Sequence, residues 1–206
     1  MIKRTLYFGN QAYLSLKDNQ LVIKKRDDEI VTAAIEDIAY IVLDSPQITV
    51  TNALLGALLE NNCAIINCDK THLPSGLLLP LSGNTLQSER FQAQIEASLP
   101  LKKQLWQQTV QQKILNQAAI LKATRNAEIG NMTAWANSVR SGDVDNREAV
   151  AAAYYWKELF PDIPDFVRDR NGVSPNNMLN YGYAILRGVV ARALVSSGLL
   201  PTFGIH

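Results

Sequence analysis

Glu148, in "REAVAAAYYW", and His206, closing "GLLPTFGIH", are among the residues of this 206-residue sequence whose types could hold a divalent cation. A carboxylate and a neutral imidazole form a mixed oxygen–nitrogen donor set, which suits such an ion with open coordination positions. Two ligands alone hold magnesium or manganese poorly, so a third, another carboxylate, is expected. No residue after Asp169 is acidic. The third donor therefore has to come from upstream or from beyond position 206. Each residue also has a plainer reading. Asp145 stands three residues before Glu148, and D-x-x-E is the pattern of a helix capping box. An isolated histidine such as His206 can equally be a surface or satisfied core residue. Ala149, Ala151, Ala152 and Ala153 make the Glu148 helix thin enough for close approach, and Tyr155 lies two turns along on nearly the same side.

A second constellation lies on the last helical segment. Asn176, Asn180, Tyr183 and Arg187 recur at i, i+4, i+7 and i+11, one polar stripe opposite an apolar face of Leu179, Leu186, Val190 and Leu194. Amides, a phenol and a guanidinium in a row suit phosphate oxygens and sugars. A solvated face that bonds to neighbouring helices would look the same. His72, with only Asp69 as an acidic neighbour in sequence, reads as a loop residue. Cys63 and Cys68 lack zinc spacing and a second pair, so they read as a reduced pair partly in the core.

The elements that must position these groups change character along the chain. Strand-like alternation fills the first third: "KRTLYFG", "AYLSLK" and "QLVIKK" about a Lys-Asp-Asn turn, then "VTAAI" and "AYIVLD" joined by Glu36 and Asp37, and later "CAIINCD". Leu54, Leu55, Leu58 and Leu59 switch to helical spacing, opened by Thr51 or Asn52 and closed by Asn61-Asn62. "DKTHLPSGLLLPLSGN" reads as a connector. Beyond it the pattern is helical. One helix precedes Pro100. A long amphipathic helix follows, striped by Leu101, Leu105, Val110, Ile114, Leu115, Ala118 and Leu121. Short helices end at Gly142 and before Pro161, and the last runs from Pro175 to Gly198. The expected fold class is α+β multidomain: a small β-sandwich-like domain (1–70), a linker (71–84) and an all-α domain (85–206).

With 47% hydrophobic and 19% charged residues, the chain can build a sizeable core, and wholesale disorder is excluded. The net charge of +1 gives no sign of nucleic acid. It conceals a split, with 7 Lys+Arg against 9 Asp+Glu in residues 1–82 and 13 against 10 thereafter. The second part is thus better suited to a polyanion. "MIKRTLYFGNQ" lacks the apolar core of a signal peptide and no apolar run approaches about 18 residues, so a cytoplasmic, non-membrane protein is expected.

The segments "GDVDNREAVAAAYYW", "RNGVSPNNMLNYGYAILRGVVARAL" and "GLLPTFGIH", with "EDIAYIVLDSPQITVTNALLGALLENNCAIINCDKTHLPSGLLLPL", together resemble the CRISPR-associated integrase, the endonuclease of spacer acquisition, in its type II form. The resemblance covers the whole chain. It implies a β-domain that forms a homodimer, a helical catalytic domain, and a small partner protein in the adaptation complex. It also implies a magnesium or manganese ion held by Glu148, His206 and a second carboxylate that follows the histidine. The implied substrates are DNA, a prespacer duplex and the CRISPR repeat, joined by attack of a 3′-hydroxyl on a phosphodiester. The stripe of Asn176, Asn180, Tyr183 and Arg187 is then a candidate DNA contact. The chain matches about the first two-thirds of the family's length, so weak activity is expected of it. The alternative function is a non-catalytic fragment that only assembles and holds DNA.

Overall fold

The computed structural model describes residues 3–206. The described residues up to Gln94, with Val173–Thr202, form one compact unit; Ile95–Gly172 with Phe203–His206 form the other. The expected partition at 70 and 85 is therefore not where the structure divides. Two features explain the difference. The expected linker contains a strand, and the last helix packs on the first unit's sheet.

In the first unit, strands β1 (Arg4–Phe8), β2 (Ala12–Lys17), β3 (Gln20–Lys25), β4 (Ile30–Ala34), β5 (Ile38–Leu43), β6 (Ile48–Val50), β7 (Ala64–Cys68) and β8 (Pro74–Leu78) make two four-stranded sheets. Their orders are β1-β5-β7-β8 and β4-β3-β2-β6. The β2–β3 hairpin turns at Asp18 and Asn19, both at positive φ (50° and 56°), which short polar side chains tolerate. In the first sheet β5 pairs parallel with β1 and β7, and β8 closes it antiparallel to β7. Helix α1 (Asn52–Glu60) is capped by Thr51, whose hydroxyl accepts the Leu54 amide at 3.4 Å.

The "AYIVL" and "AIIN" runs are continuously apolar because the first sheet is covered on both faces. On one face Ile38, Ile41, Cys63 and Ile65 join Leu14 and Leu21 of the second sheet and Leu54 and Leu58 of α1 in one core. On the other, Ala39, Tyr40, Val42, Ala64 and Ile66 meet helix α6 (Asn176–Ser196) through Ile185. The face of α6 that docks is its small-residue one. A Cβ on Gly188 would lie 2.8 Å from Ile66 Cδ1, the Tyr40 hydroxyl donates to the Gly188 carbonyl at 3.0 Å, and Arg192 donates to the Asn62 carbonyl. Leu186 and Val190, expected on the packed side, are half-exposed instead (53% and 50%). Helix α2 (Gln87–Glu96) ties down the segment after α6: the Gln94 amide donates to Leu200 O at 3.0 Å and accepts from Leu200 N at 2.9 Å.

The second unit is built on α3 (Leu99–Arg125), α4 (Gly130–Ser138) and α5 (Arg147–Leu159). Ser98 caps α3, and Pro100 sits in its first turn, where its missing N–H costs nothing. Val110, Ile114, Ala118 and Leu121 of the expected stripe are buried, against Met132, Ala136, Ala151 and Tyr155. Leu101, Leu105 and Leu115 of that stripe are partly exposed. No helix among the described residues is long and apolar enough to cross a membrane.

Candidate functional site

Glu148 sits in the first turn of α5, and its position is fixed by the backbone turn before it. Gly142, Asp143 and Asn146 all take positive φ (75°, 51° and 51°), which folds the chain back under the helix start. Asp143, buried at 9% exposure, then accepts the backbone amides of Arg147 at 2.8 Å and Glu148 at 3.0 Å. Two otherwise unpaired donors and the positive end of the helix dipole are satisfied by one carboxylate. The expected capping box is thereby corrected: Asp145 does not cap. It forms a two-pronged pair with Arg140, whose Nε donates to Oδ2 at 2.6 Å, and this holds its carboxyl below the usual range. With no capping role, the Glu148 side chain is free for other work. It is about a third exposed and pairs with the Lys113 ammonium of α3.

His206 packs against α3. Its ring stacks on Trp106, centroids 4.3 Å apart and planes 17° apart. Phe203, just before it, takes the Lys102 ammonium over its ring at 5.1 Å. Trp106 and Lys113 are seven residues apart, two helical turns, so they share one face about 10 Å apart along the axis. Each sequence-selected group is thus engaged by a different α3 side chain, Glu148 by Lys113 and His206 by Trp106, at points two turns apart on that helix. Their donor types suit a divalent cation. Among the described residues, no group of three His, Cys, Asp or Glu side chains is assembled to hold one. By donor type alone the two suit part of a ligand set, which the described residues do not complete.

The stripe on α6 belongs to the other unit. Asn176 is buried (7%) at the helix start, which takes it out of any solvent-facing row. Asn180 is half-buried, while Tyr183 and Arg187 are exposed. Arg187 also lines a crevice of about 90 Å³ against Ser75 and Gly76 of β8.

A cluster that sequence spacing did not reveal lies at the ends of β1, β5 and β7. Asp44, 6% exposed, accepts hydrogen bonds from the Tyr7 hydroxyl and faces His72 Nδ1 at 3.0 Å. Burial alone would raise the Asp44 carboxyl. The bonds from Tyr7 and His72 outweigh it and hold the group below its ordinary range. The same bond pushes the Tyr7 phenol up to about 12. His72 is therefore a partnered residue, and the partner is 28 positions away, beyond the reach of any local pattern.

Fold and site define a protein of two units, paired mixed sheets backed by a helix and a helical unit presenting a carboxylate and an imidazole. Residues 6–206 match the family described as CRISPR associated protein Cas1, and the chain belongs to that family. It is 42% identical over 206 residues to a "CRISPR-associated endonuclease Cas1" of Neisseria meningitidis serogroup C, covering 100% of this chain and 66% of the relative. A "CRISPR-associated endonuclease Cas1 2" of Saccharolobus solfataricus is 30% identical over 211 residues, with 98% and 65% covered. The chain therefore spans just under two-thirds of the length of these curated relatives. Solved structures share the fold. A CAS1 protein from Thermotoga maritima superposes with a TM-score of 0.74 at 14% identity, over 98% of this chain and 68% of that one. A casposase bound to integration product gives 0.68 at 20%, over 97% and 62%. A Cas6-RT-Cas1–Cas2 complex gives 0.70 at 21%, over 97% and 24%.

Proposed function

We propose that this chain contributes the Glu148–His206 part of the active centre of a metal-dependent DNA endonuclease and integrase that inserts new spacer DNA into a CRISPR array. The observation that supports the reading is that both groups contact α3, Glu148 through Lys113 and His206 through Trp106. Family membership and the relatives named as endonucleases support it, as does the likeness to a casposase bound to integration product.

In the proposed reaction the oxygen of a 3′-hydroxyl on the incoming DNA bonds to a phosphodiester phosphorus at the repeat. The bond from that phosphorus to its 3′-bridging oxygen breaks, and the hydroxyl proton passes to solvent. With water as the nucleophile the same step is hydrolysis. A magnesium or manganese ion, when bound, supplies polarisation of the phosphoryl oxygen and stabilises charge on the attacking and leaving oxygens. Glu148 would give it a carboxylate oxygen and His206 an imidazole nitrogen, with a further carboxylate still required. Trp106 orients the imidazole by stacking, and Asp143 fixes the turn from which Glu148 projects. Tyr183 and Arg187, exposed on α6, would contact the DNA backbone, with Asn180 and the covered Asn176 shaping that helix surface. The proposed partners are a second copy of the chain, through the β-sheets, and a small adaptation protein. The Cas6-RT-Cas1–Cas2 complex supports the latter by its name. The proposed setting is the cytoplasm.

The test is cleavage and strand transfer of a labelled duplex with manganese or magnesium, comparing the protein with its Glu148→Ala variant. Metal-dependent product that disappears in the variant is expected. Product at undiminished level in Glu148→Ala would refute the assignment. A second reading, an assembly and DNA-holding piece without catalysis, is favoured by the incomplete ligand set among the described residues. It predicts salt-sensitive duplex binding with no product under either metal.

A further inference from the structure

We propose that Lys113 is a resident counter-cation of Glu148, which an incoming divalent ion has to displace, so that Lys113 sets the affinity of this carboxylate for metal. The inference rests on the metal reading above and goes one residue beyond it.

Three features of the helical unit carry it. The two ends of Glu148 are held very differently. Its backbone amide is bonded to buried Asp143 at 3.0 Å, whereas its carboxylate is held by the end of a lysine stem. A fixed anion with a displaceable partner is what a metal ligand requires, since the anchor stays while the partner leaves. Next, both members of the pair keep contact with water, Lys113 at 46% side-chain exposure and Glu148 at 31%. A pair this exposed is weak and exchangeable, and the freed ammonium can be hydrated without crossing the core. Finally, α3 and α5 are docked independently of the pair. Ile114 and Ala118 of α3 and Ala151 and Tyr155 of α5 are buried in one apolar core. The ion pair is therefore dispensable for helix packing.

Position strengthens the reading. Lys113 donates directly to the Glu148 carboxylate, so its ammonium occupies the position on that carboxylate that an incoming ion would take. A dication arriving there loses affinity twice, by competing for the carboxylate and by repulsion from the ammonium.

The test is a titration of the whole chain with manganese, following free Mn²⁺ by electron paramagnetic resonance, in the wild type and in Lys113→Gln, Lys113→Arg and Glu148→Gln. Circular dichroism confirms that each variant is folded. Lys113→Gln is expected to bind Mn²⁺ about three- to tenfold more tightly at low salt, a gain that shrinks as salt screens the charges. Lys113→Arg should stay near the wild type, and Glu148→Gln should lose the site. If Lys113→Gln binds Mn²⁺ no more tightly while Glu148→Gln still abolishes binding, the Lys113 proposal is overturned and the metal reading stands. The Lys113 proposal is overturned equally if Lys113→Arg gains as much as Lys113→Gln, because charge is then not the cause. If no protein shows Glu148-dependent binding, the donors of this chain do not hold an ion by themselves, and the Lys113 proposal, which rests on them, is overturned.

Discussion

Asp143 is the residue on which the placement of Glu148 depends, and its removal makes a sharp test. Its carboxylate is buried and accepts two amides, from Arg147 at 2.8 Å and Glu148 at 3.0 Å. Losing a helix N-cap costs roughly 1–2 kcal/mol. Removing a negative charge from the helix N-terminus adds about 0.3–1 kcal/mol. Asp143→Ala should therefore destabilise the first turn of α5 by about 2 kcal/mol, and Asp143→Asn, which keeps one acceptor, by about half of that. A global melt would blur this signal, because a chain of two compact units need not unfold in one step. Amide hydrogen exchange, read by mass spectrometry over the peptide containing residues 143–150, reports the local opening directly. At 1.4 kcal/mol per factor of ten, the protection of those amides should fall by about thirtyfold in Asp143→Ala. Asp145→Ala should leave it unchanged, because Asp145 bonds to Arg140 and not to the helix start. If Asp145→Ala strips the protection and Asp143→Ala does not, the capping assignment is wrong, and so is the account of what aims Glu148.

Two further outcomes test the first unit. Gly188→Val should destabilise the docking of α6 by about 1–3 kcal/mol, because the new side chain meets Ile66 and Leu77 with no room to spare; an unchanged denaturation midpoint would disprove the close contact. Stability should also fall as pH rises from about 9 through about 12. Burial raises the Cys63 thiol and the Tyr40 phenol each to about 12, against ordinary values of 9.0 and 10.0. A group whose folded pKa is raised contributes stability fully below its unfolded pKa, and that contribution is lost towards the folded value. Denaturant midpoints measured from pH 8 to 11.5 should fall less steeply above pH 10 in Tyr40→Phe than in the wild type. Identical slopes would show that Tyr40 titrates as it does in the unfolded chain.

Local periodicity was enough to read most of the elements. β1 to β5, β7 and α1 follow from alternation giving way to helical spacing, and α3 from an apolar stripe opened by Ser98 and Pro100. These are properties of a few neighbouring residues, so the sequence alone determines them. β6 and β8 escaped notice. Three residues are too few to show a period, and Pro74–Leu78 carries a proline and a glycine that signal a connector. Glu148 and His206 were selected through the resemblance of the segments that contain them to the family that residues 6–206 match. Tertiary structure decided the rest, because each remaining feature pairs residues that no local pattern connects. Asp143 caps α5 only because three positive-φ residues fold the chain back, a backbone path that "SGDVDN" permits without announcing. Lys113 meets Glu148 across 35 positions, and His72 meets Asp44 across 28. The second face of the first sheet is covered by a helix about 140 residues downstream, with Tyr40 bonded to the Gly188 carbonyl 148 positions away. A sequence specifies how each segment prefers to curl and which side of it avoids water; which charge faces which becomes definite only when those segments pack.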